Sequence, residues 1–445
     1  MPEEERQKRE AEKADKRKAR KNNGAKRDMH YEMEQEEHDV YPDDPDFDIN
    51  KARLVTTAPR ICVRYECVPM RFIKPVSKIH TYAQDGCLFE GKTPVSAFLN
   101  SSYDGSFIAG LMELRYIQSL PVERIINYFE SHGFTLKKPT AHKLMEKASS
   151  LFENLYKCIR QTALSDPYKA ADETYYKILV PEKNSKGKGV RKGYLWVVVG
   201  INTRMIYLLY DDGSRSEKVI LNELGGCKGI IQSDGYSPYR KLESDAYPHI
   251  TRIPCLQHIK RKFIDCGEDD PDAKRIVEMI NTLYQNEHKH KIGVDGWTVE
   301  QNLMHRKKYA PDILGEIKDV LDDIEERGDL LPKSELQEAI TYLRNEWNAV
   351  VDIFNYGDTY LDNNMVERMN RYISLSRNNS LFFGSHKGAE RGAILYTIAL
   401  TCRMHKVNLF EYLTDVINRT AEWQPNTPIE KYRELRPDRW EKAND

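Results

Sequence analysis

The chain of 445 residues contains no Cys-x-x-Cys pair, and its eight cysteines follow no regular spacing. A disulfide framework is not indicated, and the cysteines read as reduced thiols in a cytosol. Cys62 and Cys67, with His80 and Cys87 downstream, lie in an alternating, strand-like run rather than a metal knuckle, so zinc is not expected there. Long apolar runs are missing as well. Without a stretch of about 18 apolar residues no membrane span is expected, and the charged start lacks the apolar core of a signal peptide. Nor is there a surplus of charge of one sign, the formal net value being −1. That balance does not advertise a nucleic-acid partner. A duplex-binding protein needs positive charge on one face only, so distribution outweighs the total.

The charge that is present is unevenly spread. Lys13 to Arg27 is dominated by Lys and Arg, and Glu32 to Asp48 by acids, with Tyr41-Pro42-Asp43-Asp44-Pro45 inside it. Residues 1–50 are expected to form a charged, poorly ordered tail, either simply solvated or acting as a basic arm on phosphates. Apolar residues make up 40% of the chain, enough for packed cores, and the length suggests about two to four domains. Residues 51–100 read as a small β-rich segment, and residues 101–160 as helical. Within the latter, Phe107, Ile108, Leu111, Leu114 and Tyr116 suit one helix; Pro121 opens a second carrying Ile125, Ile126 and Phe129; Gly133 supports a turn; and Pro139 opens a third. As a helix-turn-helix, this module would set Lys137, Lys138, Thr140, His142 and Lys143 of its third helix toward a major groove. As a plain helical bundle it would only prop the domain after it.

Three short stretches then place acids in settings of special geometry: Ala170-Ala171-Asp172-Glu173-Thr174, Gln232-Ser233-Asp234-Gly235-Tyr236 and Asp362-Asn363-Asn364-Met365-Val366-Glu367-Arg368. Asp172 to Leu179 alternates, Tyr194 to Val199 is apolar and aromatic, and Arg204 to Tyr210 is a third strand candidate. A helix comes next, starting near Ser214 or Ser216 and ending before Gly225-Gly226, and Gly229 to Ser233 is a short apolar strand that stops at Asp234. Strand, strand, strand, helix, strand is the order of an α/β ribonuclease-H-like core, with Asp172 on its first strand and Asp234 ending its fourth. Chemistry asks for a third acid, because in-line attack on a phosphodiester is helped by two divalent ions about 3.5–4 Å apart, held by carboxylate and water oxygens. Glu367 fits, since Asn363, Glu367 and Arg371 share a helix face. Each acid also has a plainer reading: Glu173 in place of Asp172, a turn role for Asp234, and an exposed pair of Glu367 with Arg371.

The interval from Asp234 to Glu367 is more than twice that from Asp172 to Asp234. It reads as a helical insertion over residues 266–355, between a first core part (165–265) and a last part (356–400) that carries the Glu, with a helical C-terminal tail over 401–445. Ile276, Met279, Ile280 and Leu283, then Ile313, Ile317, Val320, Leu321 and Ile324, then Leu336, Ile340, Leu343 and Trp347 keep helical spacing. Gly293, Gly296, Pro311, Gly328 and Pro332 are expected to break these helices.

At this point the chain resembles the insertion-sequence-66 (IS66) transposases, from about Ala58 onward. The resemblance is carried by Tyr65-Glu66-Cys67-Val68-Pro69, Lys92-Thr93-Pro94, Leu120-Pro121-Val122-Glu123-Arg124, Asp172-Glu173-Thr174, Ser233-Asp234-Gly235-Tyr236, Cys255-Leu256-Gln257-His258, Asp362-Asn363-Asn364 with Glu367-Arg368, and Arg377-Asn378-Asn379-Ser380-Leu381-Phe382. Leu409-Phe410-Glu411-Tyr412-Leu413 through Leu435-Arg436-Pro437-Asp438-Arg439-Trp440 resembles the family's closing segment. The resemblance implies a DDE recombinase that cuts at transposon ends and joins the freed 3′-hydroxyls to target DNA, using Asp172, Asp234 and Glu367 to hold two Mg2+ or Mn2+ ions. It also implies a Cys-x-x-His element at Cys255 and His258. Family members commonly carry a longer N-terminal region with a Cys-x-x-Cys pair, and this chain departs from that pattern in having no such pair, so the resemblance does not carry over the family's means of recognising transposon ends.

Two ligands cannot hold a structural zinc tetrahedrally, so Cys255 and His258 read as packing or hydrogen-bonding residues close to the acids. Lys260 and Arg261 beside them, and Arg368, Arg371 and Arg377 flanking Glu367, are candidates for DNA phosphates. The expected partners are transposon-end and target DNA, a second copy of the chain on DNA, and small accessory proteins of the same element. The expected location is the cytoplasm, at the nucleoid. Two other functions fit the same residues: a cleavage-only nuclease, and a decayed or repurposed DNA-binding copy.

Overall fold

Tyr168 to Ala171 and Leu195 to Val199 are buried almost without interruption, as strands at the centre of a covered sheet must be. The computed structural model describes residues 70–442 apart from 77, 85–86, 91–95, 99–100, 183–186, 188, 268 and 425. The charged tail and the Cys62–Cys67 run lie outside the described residues.

A two-stranded antiparallel hairpin, β1 (Thr81–Gln84) and β2 (Cys87–Glu90), comes first. Four helices come after it: α1 (Gly105–Tyr116), α2 (Val122–Ser131), α3 (Lys138–Leu151) and α4 (Glu153–Ser165). Asp104 caps α1 by accepting from the Phe107 amide, Pro121 precedes α2, and Gly133 turns the chain before α3 with a φ of 84°. Phe72, Phe107, Phe129 and Phe134 meet with ring centroids 4.8–5.9 Å apart and tie the segment before α1 to this bundle.

The chain then enters the main sheet, made of β3 (Tyr168–Leu179), β4 (Val190–Gly200), β5 (Met205–Leu209), β6 (Gly229–Ser233) and β7 (Ile250–Pro254). Their spatial order is β5-β4-β3-β6-β7. β3, β4 and β5 form an antiparallel meander, whereas β6 and β7 run parallel to β3. The fold is therefore mixed α/β. The expected meander, helix and strand all occur, with α5 (Glu217–Leu224) capped by Ser216 and ending at Gly225. One boundary moves: the first strand starts at Tyr168, not Asp172, because Tyr168 to Ala171 is buried on both faces and shows no alternation. Asp172 is consequently a mid-strand residue.

Beyond β6 come α6 (Ser237–Arg240), β7, α7 (Leu256–Asp265), then α8 (Pro271–His288), α9 (Val299–Arg327) and α10 (Glu335–Ile353). Pro311 is not a breaker, contrary to the sequence expectation: it lies inside the 29-residue α9. An interior proline costs about 3 kcal/mol, but Leu314, Ile317, Val320, Leu321 and Ile324 on the same helix are buried, and each such side chain contributes about 1.5–3 kcal/mol. Burial outweighs the local penalty. Gly293 and Gly296, with φ of 81° and 77°, turn the loop between α8 and α9, and Gly328, with φ of 66°, ends α9.

The chain returns from α10 beside the point it left, since the Leu256 amide donates to the Leu361 carbonyl at 2.8 Å. Arg306 of α9, 1% exposed, serves this return by donating to the carbonyls of Ile353, Tyr356 and Thr359 while pairing with Glu287. Last come α11 (Asn364–Asn379), α12 (His386–Met404), α13 (Leu409–Ala421) and α14 (Ile429–Glu434). Thr397 of α12 accepts from the Leu208 amide and Thr401 donates to the Ile206 carbonyl, so the outer edge of β5 is covered. α13 packs on α1, where a Cβ at Gly105 would strike Asn418 and the Thr414 carbonyl.

Candidate active site

β6 places Asp234 at its carboxyl end, and β3 places Asp172 beside it. Ala170 pairs with Gln232 across the two parallel strands; carrying that register two residues on sets Asp172 alongside Asp234 on one face, at a strand spacing of about 4.8 Å. Glu173 necessarily points to the other face. There it pairs with Arg215 at 2.5 Å and accepts from the Tyr239 hydroxyl at 3.3 Å, so its carboxylate is already engaged.

The Asp172 carboxyl is pushed up to about 8, first by burial and then by the charges of Glu173 and Asp234. The Glu173 amide and the Asn370 side chain donate to it at 2.8 and 2.5 Å, which moderates the rise. Asp234 accepts from the Tyr236 amide at 3.1 Å in a tight turn. The turn is held from behind: Gly235 donates to the Tyr342 hydroxyl of α10 at 2.9 Å, and a Cβ at Gly235 would collide with that ring. Arg252 of β7 donates to the Asp234 carbonyl at 2.8 Å and to Ser233 Oγ at 3.0 Å. Its charge is met by Glu243 and by Glu346 of α10, each at 2.5 Å, with the Arg252 and Glu346 side chains 0% and 1% exposed.

Glu367 lies in the first turn of α11, whose start is pinned to β3. The Asn363 side chain donates to the Ala171 carbonyl at 3.0 Å, and Asn370, one turn beyond Glu367, reaches Asp172. The carboxylate of Glu367 does not pair with Arg371. It faces His258 Nδ1 at 3.7 Å and Cys255 Sγ at 4.0 Å. Cys255, just past β7, caps the start of α7, and His258 sits in the first turn of that helix, so the Cys-x-x-His pair and Glu367 form one cluster. The thiol of Cys255 is pushed up to about 12 by burial, although amides of Asn363, His258 and Gln257 favour its ionised form.

The cationic candidates divide. Arg377 is turned inward, donating to the Tyr175 carbonyl at 2.5 Å and stacking 4.0 Å from the Tyr175 ring, which anchors the far end of α11 to β3. Arg368 and Arg371 are exposed, as is Arg261, and Lys260 lies 5.9 Å over the Tyr284 ring. Lys137, Lys138, His142 and Lys143 are exposed on α3 and its cap, with Lys138 paired to Glu123 of α2 rather than to any of the three acids. Burial and then Lys138 lower the pKa of His142. Asn370, Arg252 and Gln232 are the positioning residues that sequence reasoning missed. Gln232 is 1% exposed and joins Tyr168, Pro254 and Tyr360. Only Asn370 carried a signal, its i+3 spacing from Glu367.

The family model for IS66 transposases matches residues 100–391, a stretch that contains Asp172, Asp234, Glu367 and the Cys255–His258 pair. The chain belongs to the IS66 transposase family. Three uncharacterized proteins of Sinorhizobium fredii are similar to this IS66-family chain. y4jD is 25% identical over 346 residues, 75% of the chain and 65% of that protein. y4hP is 23% identical over 438 residues (89% and 76%), and y4qI 26% over 385 (82% and 69%). The chain spans about two thirds of the length of y4jD. Among the described residues no helix is long and apolar enough to cross a membrane.

Proposed function

We propose that this IS66-family chain is a DDE transposase that cleaves transposon-end DNA and joins the freed 3′-hydroxyl to target DNA, with Asp172, Asp234 and Glu367 as its acids. The observation that carries the proposal is the parallel pairing of β3 with β6 at Ala170 and Gln232, two residues before Asp172 and Asp234, with Asn370, from the helix of Glu367, donating to Asp172. The β5-β4-β3-β6-β7 order, antiparallel and then parallel, supports the ribonuclease-H-like reading of the core.

The donor set suits hard divalent cations. Two neighbouring carboxylates, one pushed up to about 8 by burial and like charge, form a pair that a cation stabilises in the ionised state. Two Mg2+ or Mn2+ ions, when bound, would supply an activated attacking oxygen and a stabilised leaving oxygen. The protein's part is to hold the acids still. Arg252 and Tyr342 fix the turn at Asp234, and Asn370 orients Asp172. Arg368, Arg371, Lys260 and Arg261 would neutralise nearby phosphates, and α3 would carry Lys137, Lys138, His142 and Lys143 to duplex DNA. Two ends must be held together, so a dimer or larger assembly on DNA is part of the proposal.

The test is cleavage and joining of labelled DNA bearing the element's terminal repeats in Mg2+ or Mn2+. Wild type should give joined products, and Asp234→Asn none while still binding the ends. Cleavage without joining would leave a nuclease. Specific binding without cleavage in either metal would leave a DNA-binding copy.

A further inference from the structure

Cys255, His258 and Glu367 bring a sulfur, a ring nitrogen and a carboxylate oxygen together, all within 4.8 Å of one another. Direct bonding does not account for this. The 3.7 Å from His258 Nδ1 to Glu367 Oε1 is too long for a hydrogen bond, and the 4.0 Å from Cys255 Sγ to the same oxygen is a weak S–H···O contact. His258 Nδ1 is buried with no hydrogen-bond partner. A tetrahedral ion with bonds of about 2.0–2.3 Å sets its ligand atoms about 3.4–3.6 Å apart, so the two contacts to Glu367 need to shorten by about half an ångström or less and the sulfur–nitrogen pair by up to about 1.3 Å.

We propose that Cys255, His258 and Glu367 form a binding site for one zinc-class divalent cation, with its fourth position open. Thiolate and imidazole select a borderline-soft ion over Mg2+. The Asn363 amide, 3.3 Å from Sγ, is the kind of donor that stabilises a metal-bound thiolate. Such an ion would clamp the start of α7 to the first turn of α11. Both short contacts run to Oε1 of Glu367, which leaves Oε2 for that acid's role in strand chemistry. The proposal shares Glu367 with the transposase reading but does not depend on it, and its test uses no DNA.

Chelator-stripped full-length protein is titrated with Co2+, and thiolate-to-cobalt charge-transfer absorption is recorded. Wild type should show that absorption saturating at one Co2+ per chain, displaced by Zn2+ and not by excess Mg2+, while any Co2+ held by carboxylates alone adds no thiolate band. Cys255→Ser should lose the absorption, His258→Gln should weaken the binding it reports at least about tenfold, and Cys266→Ser, at a free cysteine outside the cluster, should leave it unchanged. Circular dichroism checks folding of each variant. Should Cys255→Ser fail to fold, the His258→Gln comparison decides. Folded wild type without the absorption, or His258→Gln binding Co2+ as tightly as wild type, overturns the proposal. Either result leaves the strand-transfer assay to judge the transposase reading separately.

Discussion

Asp172→Asn should stabilise the metal-free protein, and by more at high pH than at low. Burial, then the charges of Glu173 and Asp234, push the Asp172 carboxyl up to about 8 from an ordinary value of 3.8. A raised pKa means that folding favours the protonated form, so its stabilising contribution is full below about pH 4 and is lost as pH rises through about 8. Between pH 6 and pH 8 a single group of this kind removes about 2 kcal/mol of stability. Asparagine keeps an acceptor for Asn370 and has no charge to lose. The stability gap between Asp172→Asn and wild type, read by denaturant unfolding in EDTA, should therefore widen by about 2 kcal/mol from pH 6 to pH 8. Saturating Mg2+ should narrow it at pH 8 by stabilising wild type alone. Parallel pH profiles would refute the argument, because they would mean that Asp172 is already ionised at pH 6 and feels neither its burial nor Asp234.

Glu346→Ala should destabilise the fold by about 3–5 kcal/mol, because it removes one partner of a buried guanidinium; thermal unfolding indistinguishable from wild type would contradict that. Asn370→Ala should reduce strand transfer by about tenfold with end binding unchanged, since it frees the Asp172 carboxylate without touching the cationic surface; equal turnover would remove Asn370 from the positioning set. Lys137→Ala with Lys143→Ala should weaken DNA binding uniformly across sequences and lower the salt slope by up to about 1.8, as measured by titration at several salt concentrations. An unchanged slope would assign α3 to a purely structural role.

The end of β6 before Asp234 was legible because five strand residues run directly into Asp-Gly, and the meander that carries Asp172 because three strand patterns precede the helix. The start of β3 was not, since alternation vanishes where a strand is covered on both faces. Pro311 obeys a local rule that burial along α9 overrides. The joining of Cys255 and His258 to Glu367 depends on the starts of α7 and α11 meeting at the Leu256–Leu361 hydrogen bond, a contact that no spacing pattern encodes. Arg252 reads in sequence as a polar residue in a short strand. Its meaning appears only once Glu346, on another helix, is seen to complete it.

That pairing constrains how the chain can be cut or recombined. The closeness of Leu256 and Leu361 makes α8, α9 and α10 look removable, as if a short linker could replace them. Yet the guanidinium of Arg252, with no exposed surface, shares its counter-charge between Glu243 and a residue of α10. Excising the three helices would leave that cation under-compensated directly behind the Asp234 carbonyl. A viable minimal version must therefore replace Arg252 with an apolar residue in the same step, and a graft of these helices into another protein must take the arginine along.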